Sequence, residues 1–122
     1  SLIQKIHDLE LVKDPNYVKV AVDKNMNTLY FSRAPIPYIR DNYPFRNFYE
    51  HIGVYAFRKE ELMKFSELEP TELELAEKVE PLRFLENGIQ IRMVLTDYMG
   101  VEIDTPDDLF KAEKYMNDNN LE

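Results

Sequence analysis

The chain reads as an α/β protein with a mixed sheet and flanking helices. Three features predict this: a β-hairpin pattern from Tyr17 to Ser32, later helical stretches that alternate with short apolar strands, and a strand-to-helix handover at Val101–Leu109. At 122 residues the chain has the size of one domain, taken here as residues 1–122, with a single core.

Taken in order, Leu2, Ile3, Ile6, Leu9 and Leu11 give a partly helical apolar pattern, expected to form a short helix or an irregular arm before the turn signal Asp14-Pro15-Asn16. Tyr17–Val22 is rich in β-branched residues, Asp23–Asn27 supplies turn formers, and Thr28–Ser32 completes the hairpin. Pro35, Pro37 and Pro44 then keep the next stretch out of regular ladders, while Tyr38, Tyr43, Phe45, Phe48 and Tyr49 give it large apolar area. Such an arm should bury itself, and a second subunit is a natural cover. His51–Phe57 alternates as a strand, with Gly53 marking a bulge or a close approach. Lys59–Leu68 places Leu62, Met63 and Phe65 on one side of a helix, which Pro70 stops. Thr71 and Glu74 form a capping box for a second helix reaching Glu86, and Asn87-Gly88 ends it. Pro81 lies inside that pattern, where a straight helix would lose about 3 kcal/mol, so the helix must kink or restart there. Ile89–Leu95 alternates as a strand, and a last helix runs to about Met116.

The totals exclude several classes. A net charge of −8 opposes nucleic acid or anionic membrane as a partner, and no apolar run approaches the roughly 20 residues of a membrane span. With no cysteine there is neither a disulfide framework nor a thiolate metal site, and a cytoplasmic setting fits. The chain opens at Ser1-Leu2 without methionine, so the numbering is expected to start inside a longer protein. Gly-rich phosphate loops, Gly-x-Ser-x-Gly and His-Glu-x-x-His are all missing.

The residues that can carry chemistry are few. In Val101-Glu-Ile-Asp-Thr-Pro-Asp-Asp-Leu109, Thr105 suits the N-cap, Pro106 the first helical position and Asp108 the third. Asp104 is then left over at a strand end, where open α/β sheets place ligands and where Mg²⁺ accepts one or two carboxylates beside substrate phosphates. Asp104 can equally cap the helix in place of Thr105. Arg33, at the end of the hairpin, can grip a carboxylate or phosphate, or pair with one of 23 acidic residues. His51 can donate to an anionic sugar acid or rest as a core histidine, and Tyr55 lies on the same face of the expected strand; Glu80 can accept from sugar hydroxyls, although a solvated face is the commoner fate of a glutamate. Lys19 and Arg83 remain possible counter-ions.

Four segments, Asp14-Pro-Asn-Tyr-Val-Lys-Val20, Leu29-Tyr-Phe-Ser-Arg-Ala-Pro-Ile-Pro37, His51-Ile-Gly-Val-Tyr-Ala56 and Ile103-Asp-Thr-Pro-Asp-Asp-Leu109, together resemble the C-terminal half of the 3-deoxy-manno-octulosonate cytidylyltransferases, or CMP-Kdo synthetases. The resemblance runs from about Asp14 to Lys114. It implies the C-terminal part of a nucleotide-diphospho-sugar transferase-like fold and a sugar-acid-binding and dimerisation half, in a homodimer. The implied enzyme transfers CMP from CTP to Kdo, releases pyrophosphate and serves lipopolysaccharide biosynthesis. It also implies Mg²⁺ on Asp104, with Ser32, Arg33, His51, Tyr55 and Glu80 contacting Kdo. One departure is plain: the usual Leu-Glu-Gln-Leu-Arg stands here as Val79-Glu80-Pro81-Leu82-Arg83. That makes another acidic sugar, such as 8-amino-Kdo, an alternative, and a non-catalytic binding or assembly module is a further one. The first half, with its triphosphate loop, is absent, so this chain alone should be inactive.

Overall fold

The computed structural model describes residues 1–97, 103 and 106–119. Five strands form one mixed sheet in the order β3-β2-β4-β1-β5, with β1 Leu2–Lys5, β2 Lys19–Val22, β3 Thr28–Ser32, β4 Tyr49–Ile52 and β5 Val94–Leu95. Only β1 and β5 run parallel. The helices are α1 Leu9–Lys13, α2 Lys59–Glu67, α3 Glu72–Glu77, α4 Leu82–Glu86 and α5 Pro106–Asp118. The mixed sheet with flanking helices is the predicted class.

The hairpin forms as its sequence dictates. Asp23 Oδ1 accepts the amides of Asn25 at 2.7 Å and Asn27 at 2.9 Å, which folds the turn locally, and Met26 takes the left-handed conformation at φ 65°. Pairing Val20 with Phe31 and with Tyr49 puts these three on one face, and Ile3 opposite His51 continues it. Ile3, Val20 and Phe31 are buried there with Val79, Leu82 and Met93. The register puts Ser32, Lys19, Glu50 and Gln4 on the other face, a polar row in which Gln4 Nε2 donates to Glu50 Oε2 at 2.6 Å.

Four expectations are corrected. The first apolar stretch is helical only over Leu9–Lys13: Leu2–Lys5 is an inner strand, because its neighbours β4 and β5 supply ladders that the local pattern cannot show. The strand expected over His51–Phe57 ends at Ile52, where the Val54 amide turns back to the Ile52 carbonyl at 2.7 Å, so Gly53–Phe57 leaves the sheet. The strand expected over Ile89–Leu95 shrinks to Val94–Leu95, because Ile91 and Met93 bond Thr28 and Met26 at the hairpin before the chain reaches β1. The aromatic arm buries only its end: Phe48 packs with Ile6 and Val12, while Tyr38 and Tyr43 stay exposed.

The helix containing Pro81 restarts. α3 ends at Lys78, which is left-handed at φ 55°, and Pro81 becomes the N-cap of α4. Proline costs little there, since the first amides of a helix have no intrahelical acceptor. Asn87 caps α4, and Gly88 at φ 71° ends it as expected. The expected helix N-cap at Thr105 lies outside the described residues. Within α5, Lys111 Nζ donates to Asp108 Oδ1 at 2.7 Å.

Candidate functional site

Leaving the sheet at Gly53 is what makes a cleft. The segment after β4 carries Tyr55 and Phe57 outward, and the restart at Pro81 turns Glu80 and Pro81 toward them. Tyr55, Phe57, Leu62, Phe65, Glu80, Pro81 and Phe84 line a cleft of about 150 Å³. That is below the roughly 300 Å³ of complete small-molecule sites, so the cleft alone would not enclose a whole sugar.

A continuous run of rings reaches it from the sheet, and its last four members, Tyr55, Phe57, Phe84 and Phe65, form the cleft's floor. His51 touches Phe31 edge-on at 5.0 Å and Tyr55 at 5.3 Å; Tyr55 stacks on Phe57 at 5.8 Å, Phe57 on Phe84 at 5.5 Å, and Phe84 on Phe65 at 4.3 Å. Such a floor offers an apolar platform, and the Tyr55 hydroxyl and the exposed Glu80 carboxylate supply polar handles beside it. Burial, and then the negative charge of Glu80, raise the Tyr55 phenol, which keeps it a neutral donor. Burial pushes His51 down to about 4, so at neutral pH it is an uncharged imidazole; Ser1 Oγ lies 3.0 Å from its Nε2. A neutral ring can hydrogen-bond a sugar acid but cannot pair with its charge.

The folded pKa of His51 lies below the ordinary 6.5, so the unfolded chain binds the extra proton first as pH falls. Its contribution to stability is therefore full above pH 6.5 and is lost between 6.5 and about 4. Urea midpoints measured from pH 7 to 4.5 should fall by an equivalent of about 2 kcal/mol, and His51→Gln should flatten that window. An unchanged slope in the variant would assign the proton elsewhere.

Ser32 and Arg33 form a second cluster around Glu77. Ser32 Oγ donates to Glu77 Oε1 at 2.7 Å and the Arg33 amide to Oε2 at 2.9 Å. The Arg33 guanidinium bonds three carbonyls: Nε to Glu77 at 2.7 Å, Nη1 to Pro15 at 2.8 Å and Nη2 to Lys78 at 3.2 Å. Among the described residues no carboxylate pairs with it, so its charge is not that of a surface ion pair. Three of its five N–H groups are thus taken up by carbonyls.

The structure therefore brings Tyr55 and Glu80 together in the cleft, leaves His51 outside its lining but against the Tyr55 ring, and ties Ser32 and Arg33 to the same 77–81 turn that presents Glu80. Asp104 lies outside the described residues. Among those described, no group of three or more His, Cys, Asp or Glu residues could hold a metal, so they do not by themselves make a Mg²⁺ site. The two possible counter-ions are otherwise engaged. Lys19 is fully buried, donates Nζ to the Asp14 carbonyl at 2.7 Å and has its pKa lowered by that burial, while Arg83 is paired with Glu74.

Sequence reading missed Glu77 and the ring floor. Phe65 was legible only as the apolar side of a helix, and nothing in the spacing of Glu77 sets it apart from its acidic neighbours.

A family model described as cytidylyltransferase matches residues 1–91. The chain belongs to the cytidylyltransferase family. It is 49% identical over 116 residues to the 3-deoxy-manno-octulosonate cytidylyltransferase of Christiangramia forsetii, covering 95% of this chain and 47% of that protein. The enzyme of the same name from Chlorobium limicola is 49% identical over 102 residues, covering 84% and 41%. Among solved structures, a CMP:2-keto-3-deoxy-manno-octonic acid synthetase complexed with CTP superposes with a TM-score of 0.89 at 35% identity, covering 98% of this chain and 48% of that one. This cytidylyltransferase chain thus spans about half the length of the relatives it matches. Its described helices include none long and apolar enough to cross a membrane.

Proposed function

We propose that this chain is the sugar-acid-binding and dimerisation half of an enzyme that transfers CMP from CTP to Kdo and releases pyrophosphate, in the cytoplasm, for lipopolysaccharide biosynthesis. The observation that carries the reading is the cleft in which Tyr55 and Glu80 meet beside stacked rings, with His51 packed against Tyr55, in a chain whose solved relative was captured with CTP. Glu80 would accept from sugar hydroxyls, Tyr55 would bond them as a neutral phenol, and His51 would donate to the acid. Ser32 would stand beside them. Arg33, with no carboxylate partner among the described residues, would supply the charge for the carboxylate of the sugar and help hold the reacting groups in line.

Asp104 would be a ligand of Mg²⁺, together with triphosphate oxygens and a carboxylate from the other half of the protein. When bound, the ion would neutralise the triphosphate and activate the attacking hydroxyl. A homodimer would give cover to the exposed aromatic residues Tyr38 and Tyr43 of the proline-rich arm.

Pro81 favours a second reading within the same chemistry. It lines the cleft and offers no N–H, so the preferred sugar can be an amino-substituted Kdo or another ulosonic acid. The test is pyrophosphate release by the full-length protein from CTP with Kdo and with 8-amino-Kdo. Release with Kdo is expected, preference for the amino sugar would select the second reading, and release with neither would leave only a binding or assembly module.

A further inference from the structure

We propose that Glu77 is a positioning residue that locks the sugar-acid side of the site, an inference that rests on the function proposed above. Its carboxylate takes two donors at the end of β3, the Ser32 hydroxyl at 2.7 Å and the Arg33 amide at 2.9 Å. Its own carbonyl takes the Arg33 Nε–H at 2.7 Å, and the next carbonyl, at Lys78, takes Nη2 at 3.2 Å. One residue therefore holds Arg33 by main chain and by side chain at once.

The anchor has a further consequence. Glu77 is the last residue of α3, and Lys78 immediately turns left-handed, so the path of residues 78–81 is set by where Glu77 is fastened. Glu80 and Pro81, on that path, are two of the cleft's walls. The tether thus couples the direction of the Arg33 guanidinium to the position of the Glu80 carboxylate across the joint between α3 and α4. Fastening the turn to a strand of the sheet is also what keeps the floor rings and Glu80 in fixed relation, because Phe31, one residue before Ser32, packs against His51.

Glu77→Gln tests this. The amide keeps the size of the side chain but replaces one acceptor with an NH₂ group, so the Ser32 hydroxyl and the Arg33 amide can no longer both be accepted. In the full-length enzyme the variant should raise KM for the sugar acid by about 10-fold or more, because small misplacements of binding groups are costly, while KM for CTP stays within about twofold. The Arg33 Nε–H resonance, protected from exchange in the parent, should become exposed. Ser32→Ala, which removes only one of the two donors, should give a smaller rise in sugar KM and keeps the test available if the glutamine variant does not fold.

Equal changes in both KM values, or a fall in kcat alone, would reduce Glu77 to a general stabiliser and overturn the proposal. So would an unaltered Arg33 resonance. A parent enzyme that releases no pyrophosphate but loses Arg33 protection in the variant would instead sink the functional reading and leave the tether standing.

Discussion

Glu74→Ala should lower stability by about 2–3 kcal/mol. Arg83 Nε donates to Glu74 Oε2 at 2.7 Å and its Nη2 to the other oxygen, and the two side chains are only 15% and 9% exposed. Hydrogen bonding to Arg83 lowers the Glu74 pKa, so this contribution is present above the ordinary carboxylate range and is lost as pH falls through it. Removing the carboxylate leaves the guanidinium with the Leu68 carbonyl at 3.2 Å and the Phe65 ring at 4.6 Å. It also removes the acceptor of the Thr71 amide, bonded at 3.2 Å, at the start of α3. Deeply buried pairs lose 3–5 kcal/mol when broken, and this one lies near the surface, which places it lower. Urea unfolding measures the loss, and Glu74→Leu combined with Arg83→Met should recover most of it. A loss under about 1 kcal/mol would mean that water already solvates the pair.

This pair also shows how far a sequence can be read. The Thr71 and Glu74 spacing was legible as a capping box because it is a local rule, and so were the Asp23–Asn27 turn and the stop at Asn87-Gly88. The second duty of Glu74, to Arg83, was not legible, since it depends on α4 folding back after the restart at Pro81. Similarly, β1 carries the same Leu-Ile-x-x-Ile spacing that a helix would show, and only its position between β4 and β5 makes it a strand. Where β-branched residues clustered, as in Tyr17–Val22, local preference and tertiary pairing agreed.

The candidate site divides in the same way. His51, Tyr55 and Glu80 were singled out, two of them four positions apart on one segment; the segment bends at Gly53, so Tyr55 meets Glu80 in a cleft while His51 stays on the strand with its ring against Tyr55. Ser32 and Arg33 were singled out as a strand end. Their partner Glu77 lies 45 and 44 residues away, a distance at which no spacing rule operates.

Asp104→Asn, in the full-length enzyme, should reduce turnover by more than about 100-fold, since even the outer partners of metal ligands cost about 10–100-fold when removed. Asparagine is chosen because it caps a helix as well as aspartate does, so a capping role would survive the change. It cannot survive a metal role: the amide keeps the shape but carries no negative charge for Mg²⁺, a hard cation that prefers carboxylate oxygen. The Mg²⁺ concentration giving half-maximal rate should rise, while the urea midpoint moves by less than an equivalent of about 1 kcal/mol, the most that the lost charge near a helix start would contribute. Thr105→Ala should show the opposite pattern, about 1 kcal/mol less stable with turnover retained, if threonine is the cap that the Thr105-Pro106 order predicts. Asparagine that leaves turnover intact would return Asp104 to the helix end, and the metal would then need a ligand from elsewhere in the protein.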